Sequence, residues 1–330
     1  MFKDLKKQLN DLNCKIYKDI KATNCMLCGN AMTSPCNSHT VPQFVLKEIV
    51  IKGKVCYGQT LSKVKEIDTE KGVNNAFTFK LIFKKCDNLF FKEYESKESI
   101  LHFDDIPNKN KFLAPMSVKC NLGRLSSKLY IKRFKEVMYL NGYEDPSLSG
   151  EKVEIIQHKA YIKHLKKLKN SSKEEFTILF NCLLDYEVGI ACQTTICLVR
   201  DLEGNLIFDM LDISFSNKLD FLYLAILPIE GKTRILLFVE NSHLGRNLSF
   251  INQFKALDLK DKIHAIFIML ILYSEQFYIN PKLKDIILRD KTLCKIYKKS
   301  DNDGKDNKVF ECFKNFTSYN NYLIKDYCIK

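Results

Sequence analysis

The sequence contains no tryptophan and only six arginines, so lysine supplies 46 of its 52 basic side chains. This composition is typical of an AT-rich coding sequence, and part of the formal net charge of +13 therefore reflects composition alone. A basic surface nevertheless favours polyanions. We expect a nucleic-acid partner, with DNA favoured over RNA.

Long apolar runs are also missing. The longest one, residues 265–273, is far shorter than the roughly 20 residues that a membrane-spanning helix needs. No apolar core follows the charged start at residues 1–7, as a secretory signal would require. We therefore expect a cytoplasmic protein with no membrane partner.

A disulfide framework is excluded by the cysteine pattern. The 13 cysteines are odd in number and spread along the chain, and several lie inside apolar runs, such as Cys182, Cys192 and Cys197. This pattern indicates a reducing compartment with buried thiols and one metal cluster. The hydrophobic fraction of 46% is ordinary for a folded protein, and 330 residues suffice for two domains.

The most informative stretch begins with Cys25-Met26-Leu27-Cys28-Gly29. A Cys-x-x-Cys knuckle presents two thiolates to one tetrahedral metal, and zinc is the usual occupant. His39 follows three residues ahead of Pro42, and a strand predicted at 79–83 leads to Cys86 at a helix start. The strand and helix start thus bring a further thiol toward the knuckle.

These motifs together resemble the HNH nucleases, whose ββα-metal fold is built on a treble-clef zinc knuckle. They match in particular a bacterial branch with Ser-His-x-x-Pro and Cys-Asp-Asn-x-x-Phe-x-x-x-Glu segments. The corresponding residues are Ser38, His39, Thr40, Val41 and Pro42, then Cys86, Asp87, Asn88, Phe91 and Glu95. The resemblance covers roughly residues 22–140.

The resemblance implies that His39 is the general base that activates water for attack on phosphorus. It also implies a catalytic Mg²⁺ or Mn²⁺ held by Ser38 and by Asp87 or Asn88. An imidazole that titrates near neutrality suits the first role, and a divalent ion stabilises charge on the phosphate.

The sequence departs from the family at two positions. Ser38 stands where most members place His, Asp or Glu, and a neutral hydroxyl is a poor ligand for a hard cation. Many members carry a second Cys-x-x-Cys, whereas position 83 is phenylalanine. Cys36 is the candidate to complete the zinc set, which would then consist of Cys25, Cys28, Cys36 and Cys86.

We expect an α+β protein of two domains, divided by the turn-rich stretch 141–147. Residues 1–145 would form the zinc-bound HNH-like module, with an insertion of irregular strands at 50–78. Residues 146–330 would form an antiparallel sheet covered by helices, with a recognition or regulatory role. Its predicted strands are Gly189–Val199, Leu206–Phe215, Phe221–Leu227 and Thr233–Val239, and its predicted helices are Leu244–Leu257, Leu259–Tyr278 and Pro281–Leu288.

Three further histidines are assigned to structure. His158 and His164 are predicted to be surface residues on a lysine-rich helix, and His264 to be a core residue on an apolar helix face.

Two functions follow from these observations. The first is a metal-dependent HNH endonuclease that cuts nucleic acid, a type that by analogy serves bacterial defence against phage or mobile DNA. The second is a catalytically inactive, zinc-stabilised module that binds nucleic acid or protein. A protein partner or homo-oligomer through residues 146–330 is compatible with either.

Overall fold

A computed structural model describes residues 2–62, 70–76, 78–140, 149–212, 214, 216–274, 276–302 and 307–328. The α-helices within these ranges are α1 (Phe2–Asp19), α2 (Gln43–Glu48), α3 (Lys84–Phe91), α4 (Lys97–Leu101), α5 (Asn110–Leu140), α6 (Ser149–Leu168), α7 (Leu244–Ala256), α8 (Leu259–Tyr273), α9 (Pro281–Ile287) and α10 (Lys291–Asn302). The strands are β1 (Ser38–His39), β2 (Lys54–Tyr57), β3 (Glu70–Gly72), β4 (Thr78–Phe79), β5 (Phe176–Leu184), β6 (Ile190–Ile196), β7 (Leu222–Ile229), β8 (Lys232–Glu240) and β9 (Phe277–Ile279).

The fold is α+β, as predicted, and is built around an antiparallel sheet with the strand order β3-β2-β9-β6-β7-β8-β5. Every residue of β6 and β7 is buried, so both faces of the sheet are covered. Alternate residues of β7 face the two sides, because successive side chains of a strand point in opposite directions. Leu222 and Leu224 pack with α7 and α8, whereas Tyr223 and Ala225 pack with the core around α5.

The turn between β7 and β8 lies where the sequence predicted it, within residues 228–232. Ile229 pairs with Lys232, and the two residues between them, Glu230 and Gly231, have φ of 49° and 79°. A two-residue turn with positive φ at both positions matches the right-handed twist of the strands. Glycine at the second position therefore fixes the register of the central hairpin.

The strand predicted at Leu206–Phe215 is wrong over the part that the structure describes. Leu206 forms an isolated bridge with Arg200, and the chain then turns. Asp209 accepts the backbone N–H of Leu211, and Asp212 accepts that of Ser214. Aspartates that bond to nearby backbone donors favour turns over sheet pairing. Residues 213 and 215 lie outside the described ranges.

The helix predicted at Leu259–Tyr278 ends earlier, at Tyr273. Ser274 accepts the backbone N–H of Gln276 through its hydroxyl, which turns the chain out of the helix. The following residues form β9, which pairs with both β2 and β6. The sequence itself marks this break, because the polar residues Ser274, Glu275 and Gln276 interrupt the apolar run.

The two predicted halves of the chain share the sheet. The proposed boundary after residue 145 lies within 141–148, outside the described residues. On either side of it, β2 and β3 come from the first half and the other five strands from the second. The buried side chain of Asn280 also donates to the carbonyl of Ile49 at 3.0 Å. The predicted insertion at 50–78 thus forms the edge of the main sheet.

None of the helices in the described part of the chain is both long and apolar enough to cross a membrane.

Candidate functional site

The knuckle is a tight turn that starts at Cys25. Its carbonyl accepts the backbone N–H of Gly29 at 2.7 Å, and its own N–H donates to Asn30 at 2.9 Å. Gly29 has φ of +80°, a conformation that side-chain-bearing residues rarely adopt. Glycine after the second cysteine therefore lets the chain reverse and present both thiols on one side.

Three thiols meet at this knuckle. The sulfur atoms of Cys25, Cys28 and Cys86 all lie within 4.8 Å of one another. Cys25 is buried and Cys28 exposed, while Cys86 enters from the first turn of α3. A metal ion could be held by this group, and three soft sulfur donors suit zinc, which takes four ligands in structural sites.

The surroundings shift the pKa values of the Cys25 and Cys86 thiols in opposite directions. Burial alone would raise the pKa of the Cys25 thiol, but hydrogen bonds from the backbone of Cys28, Phe83 and Leu27 lower it below its ordinary value. Burial and the neighbouring Cys28 and Cys25 raise the pKa of Cys86 to about 12. Three adjacent thiolates repel one another without a cation, and a bound metal removes that repulsion.

Cys36 does not belong to this close group in the described part of the chain. Its backbone N–H donates to Ile82 at 3.0 Å. Burial, followed by the negative charge of Asp87, raises the pKa of its thiol to about 11. The structure thus assembles three of the four predicted zinc ligands.

A ββα arrangement adjoins the thiols. Strands β1 and β4 pair antiparallel, with Ser38 opposite Phe79 and His39 opposite Thr78, and α3 follows β4. This places Ser38 against the first turns of α3, where its hydroxyl donates to Asp87 Oδ1 at 2.6 Å. The predicted pair of Ser38 and Asp87 is therefore in direct contact.

His39 is partly buried, and its Nε2 lies 3.0 Å from the carbonyl oxygen of Val73. A carbonyl only accepts hydrogen bonds, so this contact places the ring proton on Nε2 and leaves Nδ1 as an acceptor. Burial lowers the pKa of His39, and the positive charge of Lys119 lowers it further. The backbone of Val73 and the carboxylates of Glu95 and Asp87 act in the opposite direction. The neutral imidazole is thus favoured.

Lys119 also belongs to this site, although the sequence motifs did not predict it. It comes from α5 and its side chain is only 2% exposed. Its ammonium group is hydrogen-bonded to Glu95, lies 3.6 Å from Asp87 Oδ1 and sits 4.4 Å from the centre of the Phe91 ring. Within α5, Lys119 lies three residues before Leu122, on the apolar face. A lysine on the apolar face of a helix is the signal that would have revealed it.

Glu95 links this cluster to the main sheet. It accepts a hydrogen bond from the hydroxyl of Tyr94 at 3.2 Å, and that hydroxyl accepts one from the side chain of Gln193 on β6 at 3.3 Å. Tyr94 and Gln193 are fully buried. The position of Glu95 is therefore set from the core side.

Asn88 was predicted to be part of this site, but it does not join the cluster. It follows Asp87 on α3 but is exposed. Successive residues of a helix point about 100° apart, so both side chains cannot face β1. Of the two residues predicted at the helix start, the structure brings only Asp87 to Ser38.

The donor set beside His39 does not fit a hard divalent ion. Mg²⁺ requires several oxygen ligands in octahedral geometry. Here the hydroxyl of Ser38 is directed at Asp87, and the ammonium group of Lys119 is placed against both Asp87 and Glu95. A divalent ion at the carboxylates would lie beside a buried positive charge.

Two other histidines lie away from this cluster. His158 was predicted to be a surface residue, and that prediction is wrong: it is 2% exposed, stacks on Phe221 and has Nδ1 2.9 Å from Asn121 Oδ1. It lines a cavity of about 210 Å³ beside α5 and α6. His164 is partly exposed, as predicted, with Nε2 2.8 Å from Glu240.

Comparison with known proteins gives no match to this chain among family models, curated proteins or solved structures.

Proposed function

We propose that this protein is an HNH-type nuclease that hydrolyses phosphodiester bonds in nucleic acid, with DNA as the first substrate to test. The observation that carries the proposal is the hydrogen bond between His39 Nε2 and the Val73 carbonyl, which leaves Nδ1 of the neutral ring as a proton acceptor. A base fixed in one tautomer and kept neutral by burial is suited to take a proton from water.

In the proposed step, Nδ1 of His39 accepts a proton from water while the water oxygen bonds to phosphorus. The bond between phosphorus and the leaving oxygen breaks, and that oxygen takes a proton from solvent. His39 then returns its proton to solvent. Asp87 and Ser38 hold β1 against α3 and so keep the imidazole in place.

The thiols of Cys25, Cys28 and Cys86 would hold zinc in this proposal. The metal would fix the knuckle to α3 and thereby position Asp87, the residue after Cys86. Its contribution is structural, since it supplies stability to a small module and takes no part in the hydrolysis.

The test is cleavage of supercoiled plasmid DNA and of an RNA oligonucleotide by the zinc-loaded chain, with His39→Ala as the variant. His102→Ala is the matched control, because His102 is an exposed histidine whose side chain is 57% accessible. Circular dichroism and thermal unfolding establish that each protein is folded. Reactions are run in buffer freed of divalent ions and with added Mg²⁺ or Mn²⁺.

We expect the parent and His102→Ala to cut at equal rates. His39→Ala should cut about 10²–10⁴-fold more slowly, since this is the typical contribution of a general base. Equal cutting by parent and His39→Ala would identify a contaminating nuclease and contradict the proposal.

A second candidate function is a catalytically inactive module that binds nucleic acid. The charges beside His39 argue against catalysis there, because two carboxylates surround one ammonium group and leave no positive excess to hold a scissile phosphate. The net charge of +13 favours binding of nucleic acid at other surfaces of the chain. This candidate predicts no cutting by any variant, with DNA binding that weakens steeply as salt rises. The role in defence against phage or mobile DNA and the cytoplasmic location stay predictions.

A further inference from the structure

We infer that Lys119 takes the place of the divalent cation at this site, so that the cluster of Ser38, Asp87 and Glu95 binds neither Mg²⁺ nor Mn²⁺. The inference rests on the proposed function for the identity of the site, since the family resemblance is what implies an ion there. The inference concerns which cation balances the charge of Asp87 and Glu95. Its test measures the uptake of Mn²⁺ by the protein and does not depend on the cutting of nucleic acid.

The position of the ammonium group is the first observation. It contacts Glu95 and lies 3.6 Å from Asp87 Oδ1, the same oxygen that accepts the Ser38 hydroxyl at 2.6 Å. A divalent ion bound by the predicted pair of Ser38 and Asp87 would have to compete with the Ser38 hydrogen bond and with the ammonium group for this carboxylate. The nearest space is already taken by a positive charge.

The burial of Lys119 is the second observation. Its side chain is 2% exposed, whereas those of Asp87 and Glu95 are 20% and 23% exposed. The ring of Phe91 lies against the ammonium group, 4.4 Å from its centre. A lysine held between an aromatic ring and two carboxylates is almost fully removed from water, and two adjacent cations repel strongly at low local dielectric.

The chemistry of the carboxylates is the third observation. Asp87 comes from α3 and Glu95 from the segment after it, and both are directed at one point that a residue of α5 fills. Two carboxylates and a hydroxyl that converge from separate segments form an oxygen-rich donor set. Lys119 converts that set into a buried ion group that is complete without a ligand.

The inference predicts that shortening Lys119 to a neutral side chain opens an ion site. Lys119→Met keeps most of the apolar stem and removes the charge. Lys128→Met is the matched control, because Lys128 lies on the same helix and pairs with a single carboxylate, Glu154, at 2.7 Å. The probe is Mn²⁺, whose free concentration is followed by electron paramagnetic resonance in the presence of zinc-loaded full-length protein.

We expect the parent, Asp87→Asn and Lys128→Met to leave the same free Mn²⁺ signal. Lys119→Met is expected to take up one Mn²⁺ per chain, and the double variant Lys119→Met with Asp87→Asn to lose that uptake. Uptake of one Mn²⁺ by the parent that Asp87→Asn abolishes would overturn the inference. A folded Lys119→Met that takes up no ion would overturn it as well.

If Lys119→Met does not fold, the parent and Asp87→Asn decide the matter by themselves. Equal signals for these two proteins support the inference, and an Asp87-dependent uptake by the parent contradicts it. The plasmid assay is separate: a chain that binds no Mn²⁺ and cuts nothing supports this inference while refuting the nuclease proposal.

Discussion

Two neighbouring residues of α3 belong to two different side-chain clusters, one of thiols and one of carboxylates with a lysine. Cys86 joins two other thiols in a group of three sulfur atoms that could hold a metal ion. Asp87, the next residue, joins a group in which a buried lysine already balances the carboxylates. The first cluster could hold a metal ion from outside the chain, whereas the second already contains the positive charge of Lys119. Adjacent residues of one motif can therefore belong to one group that could bind a metal ion and to another whose charge is balanced by a side chain of the protein.

The largest expected effect comes from the thiol cluster. Cys86→Ala should lower bound zinc from about one ion per chain to near zero and unfold the knuckle, because metal binding supplies folding free energy to such small modules. Zinc content by atomic absorption and the thermal unfolding midpoint measure this. Cys14→Ala, at an exposed cysteine outside the cluster, should retain both.

The variant Cys36→Ala tests, in the same experiment, whether Cys36 is a fourth zinc ligand. Since the Cys36 thiol lies outside the close group of three, this variant should retain zinc. Loss of zinc from Cys36→Ala would show that Cys36 swings in as the fourth ligand, as the sequence predicted. Retention of zinc by Cys86→Ala would contradict the assignment of the whole cluster.

A smaller effect is expected at the lysine cluster. Lys119→Met leaves two carboxylates without their partner, and loss of one member of a buried ion group costs about 3–5 kcal/mol of the free energy of unfolding. Urea denaturation measures this loss, with Lys128→Met as the control, expected to change by less than about 1 kcal/mol. Adding Asp87→Asn and Glu95→Gln to Lys119→Met should restore part of the stability. No recovery would show that the loss does not come from the unpaired carboxylates.

The smallest effect concerns the titration of His39. Burial and Lys119 lower its pKa in the folded protein below the ordinary value of 6.5. As the pH falls through 6.5, the unfolded chain therefore takes up the proton before the folded one does, and His39 contributes progressively less stability. Under the nuclease proposal the reaction needs neutral His39, so the rate of cutting should decline at a lower pH than it would with an unperturbed imidazole.

Removing the positive charge in Lys119→Met should raise the pKa of His39, because that charge disfavours the imidazolium. An NMR titration of the His39 ring in parent and variant measures the change. An unchanged or lowered pKa in a folded variant would show that Lys119 does not act on His39 through its charge.

Local patterns predicted part of this architecture well. The Cys25–Gly29 knuckle and the Glu230–Gly231 turn depend on short-range backbone geometry, which glycine positions reveal. The antiparallel character of the main sheet followed from short apolar runs separated by turns. Cys86 was correctly predicted at a helix start near the knuckle, although of the strand predicted at 79–83 only Phe79 lies in a strand, β4.

Features set by distant parts of the chain were not predictable in the same way. The positively charged partner of Asp87 is Lys119, which is supplied by a separate helix, α5. Strand β9 lies between β2 and β6, and its partners therefore come from distant parts of the sequence. His158 is buried because Asn121 and Phe221 meet it from other elements. Spacing along one segment carries no information about such partners.

The place of β9 in the sheet has a consequence for the order in which the protein folds. β2 pairs with β9, and the adjoining bond from Asn280 to Ile49 spans 231 residues of sequence. Contacts at such separation close late and slow the folding of a chain. During synthesis, the edge of β2 that faces β9 stays open until the segment around residue 279 has left the ribosome. Nascent chains stopped before that point should be the ones that chaperones bind.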